Sequence, residues 1–209
     1  MSSSKSFILG ITGGSGSGKT LLIDKLKNTF NEGDICFMSQ DDYYRPWDQQ
    51  VKDDNGWINF DLPESIDHAA FARDIETLRQ GQEVIIQEYQ FNLTQNPPRQ
   101  KLLKPSPLIV VEGIFVFYHA AIEQLLDLKV FVEAHTYLML KRRIERDLSE
   151  RGYSLEEILY MFDNHVMPAY REVIEPLKHN ADLIIPNNTN FDRGALVLEQ
   201  YLQQKLHSQ

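Results

Sequence analysis

Short apolar runs alternate along this chain with longer stretches of helical period. Phe7–Thr12 is a continuous apolar run of strand length, followed by a glycine-rich bend over residues 13–18 and a helical pattern from 19 to about 30. Ile35–Ser39 predicts a second strand. Residues 41–66, rich in Asp, Asn, Pro and aromatics, predict a long functional loop. Asp67 is placed to cap a helix reaching about residue 79, with Gly81 ending it, and residues 83–91 predict a strand or hairpin. Leu108–Glu112 is a β-branched strand, 120–126 a short helix, 129–132 a strand, and 137–150 a helix that Gly152 breaks. Ser154 with Glu157 has capping-box spacing, and Pro168 and Pro176 limit or kink the helical stretch beyond it. A strand over 183–185 and a helix over 192–206 complete the pattern. Strands alternating with helices predict an α/β fold, a parallel sheet covered on both faces. No linker divides the chain, so residues 1–209 are expected to form one domain, with 1–6 disordered.

Composition narrows the class. With 42% hydrophobic and 24% charged residues the chain is globular, and a net charge of -9 disfavours a nucleic-acid binder, which needs a basic face. A polyphosphate ligand would require positive charge gathered locally against this acidic background. The single cysteine, Cys36, lies in an apolar run and reads as a buried structural thiol. The first residues lack the apolar core of a signal peptide, and no apolar run is long enough to span a bilayer, so a cytoplasmic protein is expected.

Residues Gly13, Gly14, Ser15, Gly16, Ser17, Gly18, Lys19 and Thr20 fit G-x-x-x-x-G-K-[ST] completely, between an apolar strand and a helix. Glycines let successive backbone N–H groups face a phosphate, and the following helix turns its positive end to the same anion. Lys19 is suited to the β and γ phosphates and the Thr20 hydroxyl to Mg²⁺. Asp41 and Glu112 follow the ends of two predicted strands, where ligands bind in an open parallel sheet. Asp41 is therefore the expected base or hydroxyl-orienting group, and Glu112 an expected metal-shell ligand. Arg143 and Arg146 share a helix face in the densest basic cluster, which continues to Arg151; such a cluster suits phosphate oxygens, although its interleaved acids also fit a solvated, salt-bridged helix.

The ordered set of motifs resembles the uridine-cytidine kinases, within the wider uridine kinase and phosphoribulokinase group. The segments that carry the resemblance are 13–20, Gln40 to Arg45, Asn59 to Pro63, Tyr89-Gln90-Phe91, Glu112-Gly113-Ile114, Arg142 to Gly152, Ile174-Glu175-Pro176 and Ala181 to Pro186. The resemblance implies the P-loop NTPase fold, with a five-stranded parallel sheet, a small β-hairpin and a helical lid over the acceptor. It implies Asp41 as catalytic aspartate, Thr20, Asp41 and Glu112 at the metal, and Asp61 beside Phe60 on the ribose hydroxyls. Tyr44, Tyr89 and Phe91 would line the nucleoside pocket, and Arg143, Arg146 and Arg151 would grip phosphates from a lid over 136–153. Insertions at 41–66 and 84–104 would bind the acceptor. The implied activity is ATP- and Mg²⁺-dependent phosphorylation of a pyrimidine ribonucleoside in salvage, and the implied assembly is a homo-oligomer, dimer or tetramer.

The chain departs from that family pattern where the base is read. A His and an Arg after the Tyr-x-Phe segment become Thr94 and Asn96, an Arg-Gly-Arg becomes Arg151-Gly152-Tyr153, and a Gln becomes Met161. Losing polar groups that read a substrate's edge changes what a site accepts, and Arg99 is a candidate replacement. A kinase of another riboside, sugar, sugar phosphate or vitamin alcohol is thus the nearest rival. A GTPase-like switch or assembly module is disfavoured because no guanine-reading Asn-Lys-x-Asp occurs. The six histidines show no close metal-ligand spacing and read as surface or packing residues. Trp47 and Trp57 either stack a base or pack a loop.

Overall fold

The computed structural model describes residues 5–91 and 99–207; Thr94, Asn96 and the first residues of the 1–6 tail lie outside them. Five strands form the central sheet: β1 (Phe7–Thr12), β2 (Ile35–Ser39), β5 (Leu108–Glu112), β6 (Leu128–Glu133) and β7 (Leu183–Pro186). All pair parallel, in the order β2-β5-β1-β6-β7. Each central strand is buried on both faces, which is why the sequence shows unbroken apolar runs there.

The two-residue period sorts these runs between two cores. Leu9, Ile11, Val110, Val130 and Val132 pack with Leu22, Ile23 and Leu26 of α1 (Lys19–Thr29) and with Ala195, Leu198 and Leu202 of α7 (Asp192–His207). Ile8, Ile109, Val111 and Phe131 face the other way, against Phe71, Ile75 and Leu78 of α2 (His68–Arg79) and residues of the later helices. The Asp67 carboxylate accepts from Ala70 N at 2.9 Å, so α2 begins where its cap predicts.

The expected hairpin is β3 (Val84–Gln87) paired antiparallel with β4 (Gln100–Leu103). Two expected helices are shorter than their patterns suggest. The 120–126 helix is α3 (Ala120–Glu123), after which tighter bonds, Leu125 N to Ile122 O and Leu126 N to Glu123 O, turn the chain so that Asp127 can pair with Ile8 at the start of β6. The 137–150 helix is α4 (Thr136–Arg146), and residues 147–151 then wind into a wider π turn around the ion pairs of Asp147. Beyond Gly152 come α5 (Leu155–Met161), opened by the Ser154–Glu157 capping box, and α6 (Met167–Ala169), with π turns before and after α6. Among the described residues, no helix is long and apolar enough to cross a membrane.

Candidate active site

The carboxyl ends of β1, β2 and β5 converge on one cavity of about 480 Å³. At its floor the 13–18 loop turns under tight constraints. Gly16 has φ 78°, and a Cβ there would sit 2.5 Å from the Met139 carbonyl oxygen. Gly18, at φ 105°, caps α1 in the left-handed region, where a side chain would collide with Asn187. The loop is therefore packed against α4 and the end of β7, and it closes on itself through the Ser17 N–H, which donates to the Gly14 carbonyl at 3.0 Å. Lys19 folds back over it, donating to the carbonyls of Gly13 at 2.9 Å and Gly14 at 3.2 Å. Burial lowers the Lys19 pKa, while Glu112 and Asp41 act in the opposite sense. Thr20 stands exposed at the mouth of the cavity.

Parallel register aligns Ser39 with Glu112 at the ends of β2 and β5. The Ser39 hydroxyl donates to Glu112 Oε1 at 2.6 Å and accepts from Asp41 N at 3.3 Å, tying the two acids to one another. Burial raises both carboxyls. Lys19, Arg151 and Arg146 partly offset this at Asp41, while the Asp41 charge adds to it at Glu112. Gln40 is fully buried behind them, its Oε1 accepting from Phe115 N at 2.9 Å.

Tyr44, Phe60, Asp61 and Phe91 line the same cavity. Tyr44 lies edge-on to Phe60 at 5.5 Å and to Phe91 at 5.4 Å between ring centroids. Burial, with Asp41 and Asp61 near by, raises the Tyr44 pKa well above its ordinary value, so its hydroxyl stays neutral. Asp61 is 7% exposed, with its backbone N held by Asn59 Oδ1 at 2.9 Å. Tyr89 stands behind this wall, 5.2 Å from Tyr44 and 5.1 Å from Phe91, and supports the cup without lining the cavity. Trp47 and Trp57 are also off the wall, packed on Phe60 and Tyr160. Arg99 is exposed and is not among the described residues that line the cavity. Tyr153 and Met161 do line it.

The arginines divide into two groups. Arg143, Arg146 and Arg151 converge on Asp147, which is fully buried, at 3.2, 2.8 and 3.5 Å. Arg143 also donates to Ser15 Oγ at 3.0 Å, and the Arg151 guanidinium stacks 4.2 Å over the Phe91 ring. Lys141 instead pairs with Glu145 on the exposed side of α4. Arg142 braces the loop from beneath, donating to the carbonyls of Gly16, Ser17 and Asn187, while Asn187 Nδ2 donates to Ser17 O at 2.9 Å. Ser39, Asp147 and Asn187 were not among the residues singled out from sequence. Asn187 follows β7 directly, and Asp147 lies four residues from both Arg143 and Arg151, a signal that looks the same on a solvated helix.

The histidines form no metal cluster among the described residues. His68 stacks on His119 at 5.5 Å, and His165 is buried beside Asp53 at 2.7 Å.

Residues 8–192 match the sequence profile of the phosphoribulokinase / uridine kinase family. A uridine kinase of Borrelia duttonii (strain Ly) is 33% identical over 199 residues, 94% of each chain. Uridine-cytidine kinase B of Dictyostelium discoideum is 32% identical over 96% of this chain and 82% of its own. The solved phosphoribulokinase of Rhodobacter spheroides superposes with a TM-score of 0.65 over 87% of this chain and 70% of that one, at 19% identity, a likeness of fold alone. With a P-loop fold and a family profile matched across nearly all its length, the chain belongs to the phosphoribulokinase / uridine kinase family and is a kinase.

Proposed function

We propose that this protein transfers the γ-phosphoryl group of ATP to the 5′-hydroxyl of uridine or cytidine. The observation that carries the reading is a single cavity lined by the phosphate loop, by Asp41, and by the aromatic residues Tyr44, Phe60 and Phe91 with the buried Asp61. Relatives named for uridine and cytidine support the acceptor.

In this reading the loop amides and Lys19 hold the β and γ phosphates. Asp61 takes the ribose diol, and Tyr44, Phe60 and Phe91 pack the base and sugar. Asp41 accepts the hydroxyl proton and aims its oxygen in line. Arg143, Arg146 and Arg151 neutralise the charge that develops on the phosphoryl group. Segments 41–66 and 84–104 serve the acceptor, and 136–153 acts as the lid within one kinase domain. A dimer or tetramer is the assembly implied by resemblance, to be checked by light scattering.

Mg²⁺ suits this donor set. Its preference for few carboxylates plus phosphate oxygens and water matches two acids and a threonine hydroxyl at the loop. Thr20, Asp41 and Glu112 would hold it, and it would supply neutralisation of phosphate charge.

The deciding test is ADP release with uridine and cytidine beside other ribosides, sugars, sugar phosphates and vitamin alcohols. Turnover of another alcohol with none of either pyrimidine nucleoside would overturn the acceptor assignment. Asp61→Ala is expected to raise the acceptor KM about 30-fold while leaving the ATP KM unchanged, by analogy with other lost charge-assisted hydrogen bonds. A 2′,3′-dideoxy acceptor should lose the same factor in the unmutated enzyme and nothing further in the variant.

A further inference from the structure

Asp53 lies in the acceptor loop but away from the cavity, and its carboxylate is completely engaged. Oδ1 accepts from the backbone N–H of Asn55 at 2.9 Å and Trp57 at 2.8 Å. Oδ2 accepts from the Tyr160 hydroxyl at 2.7 Å and lies 2.7 Å from His165 Nε2. A carboxylate in this state only accepts, so Nε2 carries the proton. Burial by itself would raise the Asp53 carboxyl, but the hydrogen bonds from Tyr160, His165 and the two amides outweigh it and hold the group at about 2. His165 is 3% exposed, so this is not an ion pair between two solvated side chains.

Tyr160 and His165 are five residues apart, a spacing that an α-helix would turn away from one target. The π turn over residues 162–166 bonds at that same interval and brings both side chains to one carboxylate. The two sides of this contact lead to different residues that line the cavity. From Asp53 the chain runs through the Lys52–Ile58 bridge and the Asn59 N to Val51 O bond to Asn59, whose side chain holds Asp61 N. From Tyr160 the next residue is Met161, on the cavity wall.

We infer that Asp53 is a positioning residue that latches the acceptor loop, and with it Phe60 and Asp61, to the helical segment carrying Met161. The latch fixes the width of the acceptor end of the cavity. Its kinetic consequence rests on the nucleoside-kinase reading; its structural consequence does not.

The test uses the full chain with Asp53→Asn. Asparagine keeps one oxygen for the Asn55 and Trp57 amides but turns an amide donor toward Tyr160 and His165. The uridine KM should rise about tenfold with the ATP KM unchanged. Hydrogen exchange, measured without nucleotide, should quicken over 51–61 and 159–166 and stay unchanged over 13–20. Tyr160→Phe should show the same pattern more weakly. Adding His165→Phe to Asp53→Asn should cost less than the product of the two single effects. Wild-type exchange over 51–61 in Asp53→Asn would overturn the latch, as would an equal rise in both KM values. If the unmutated enzyme turns over neither uridine nor cytidine, the acceptor reading fails and the exchange result alone decides the latch.

Discussion

Asp41→Asn is expected to lower turnover about 10³-fold and, at neutral pH, to raise the thermal midpoint of the nucleotide-free protein. The first effect follows from removing the group that accepts the hydroxyl proton and aims its oxygen, a contribution of roughly 10²–10⁴ in comparable sites. The second follows from the electrostatics. Burial raises the Asp41 carboxyl despite Lys19, Arg151 and Arg146. The folded protein therefore holds that proton more tightly than the unfolded chain does. Stability falls as pH rises from about 3.9, the unfolded value, through the raised folded value. Above that window the ionised carboxylate is a net cost, which the neutral amide removes. The Asp41 charge in turn adds to the effect of burial in raising Glu112. Steady-state kinetics and thermal melts of the same preparations check both effects. Activity within tenfold of the unmutated enzyme would remove Asp41 from catalysis, and a lowered midpoint would contradict the burial cost.

Asp147→Asn should produce the second large change although Asp147 is not itself on the cavity wall. Its buried carboxylate is the common partner of Arg143, Arg146 and Arg151. Without it three guanidinium groups repel one another with no anion between them. Removing one member of a buried ionic group costs about 3 kcal/mol or more of stability, readable by urea unfolding. Turnover of the folded enzyme should fall about 10²–10³-fold, because charge stabilisation by arginine depends on its being held in place beforehand. Arg151 also stacks on Phe91, so the acceptor KM should rise by a smaller factor. A variant that loses stability but keeps kcat per folded molecule would show that Asp147 only holds the helix together.

The strands were legible because each is buried on both sides and so reads as an unbroken apolar run, as in Phe7–Thr12 and Leu108–Glu112. The phosphate loop was legible because its backbone geometry requires glycine at fixed positions, and Lys19 and Thr20 follow it directly. The caps of α2 and α5 were legible because a side chain and an amide three residues on satisfy one another locally. Asp41 and Glu112 could be placed as strand-end acids, but their link through Ser39 depends on the register of two strands far apart in sequence.

The remaining features depend on contacts at long range. Asp147 and Glu145 look alike in a basic helix, yet one is buried under three arginines and the other faces solvent. Tyr89 resembles Tyr44 as a pocket aromatic, but its place behind the cup depends on how the hairpin packs. Asp53 and His165 are 112 residues apart and meet through a π turn that no local period announces. The order of residues was enough for the sheet, the phosphate loop and the acids at the strand ends, because backbone conformation and apolar periodicity are local. Which charges are buried together and which walls close the cavity emerged only in the folded molecule, because desolvation depends on every element packed around a group.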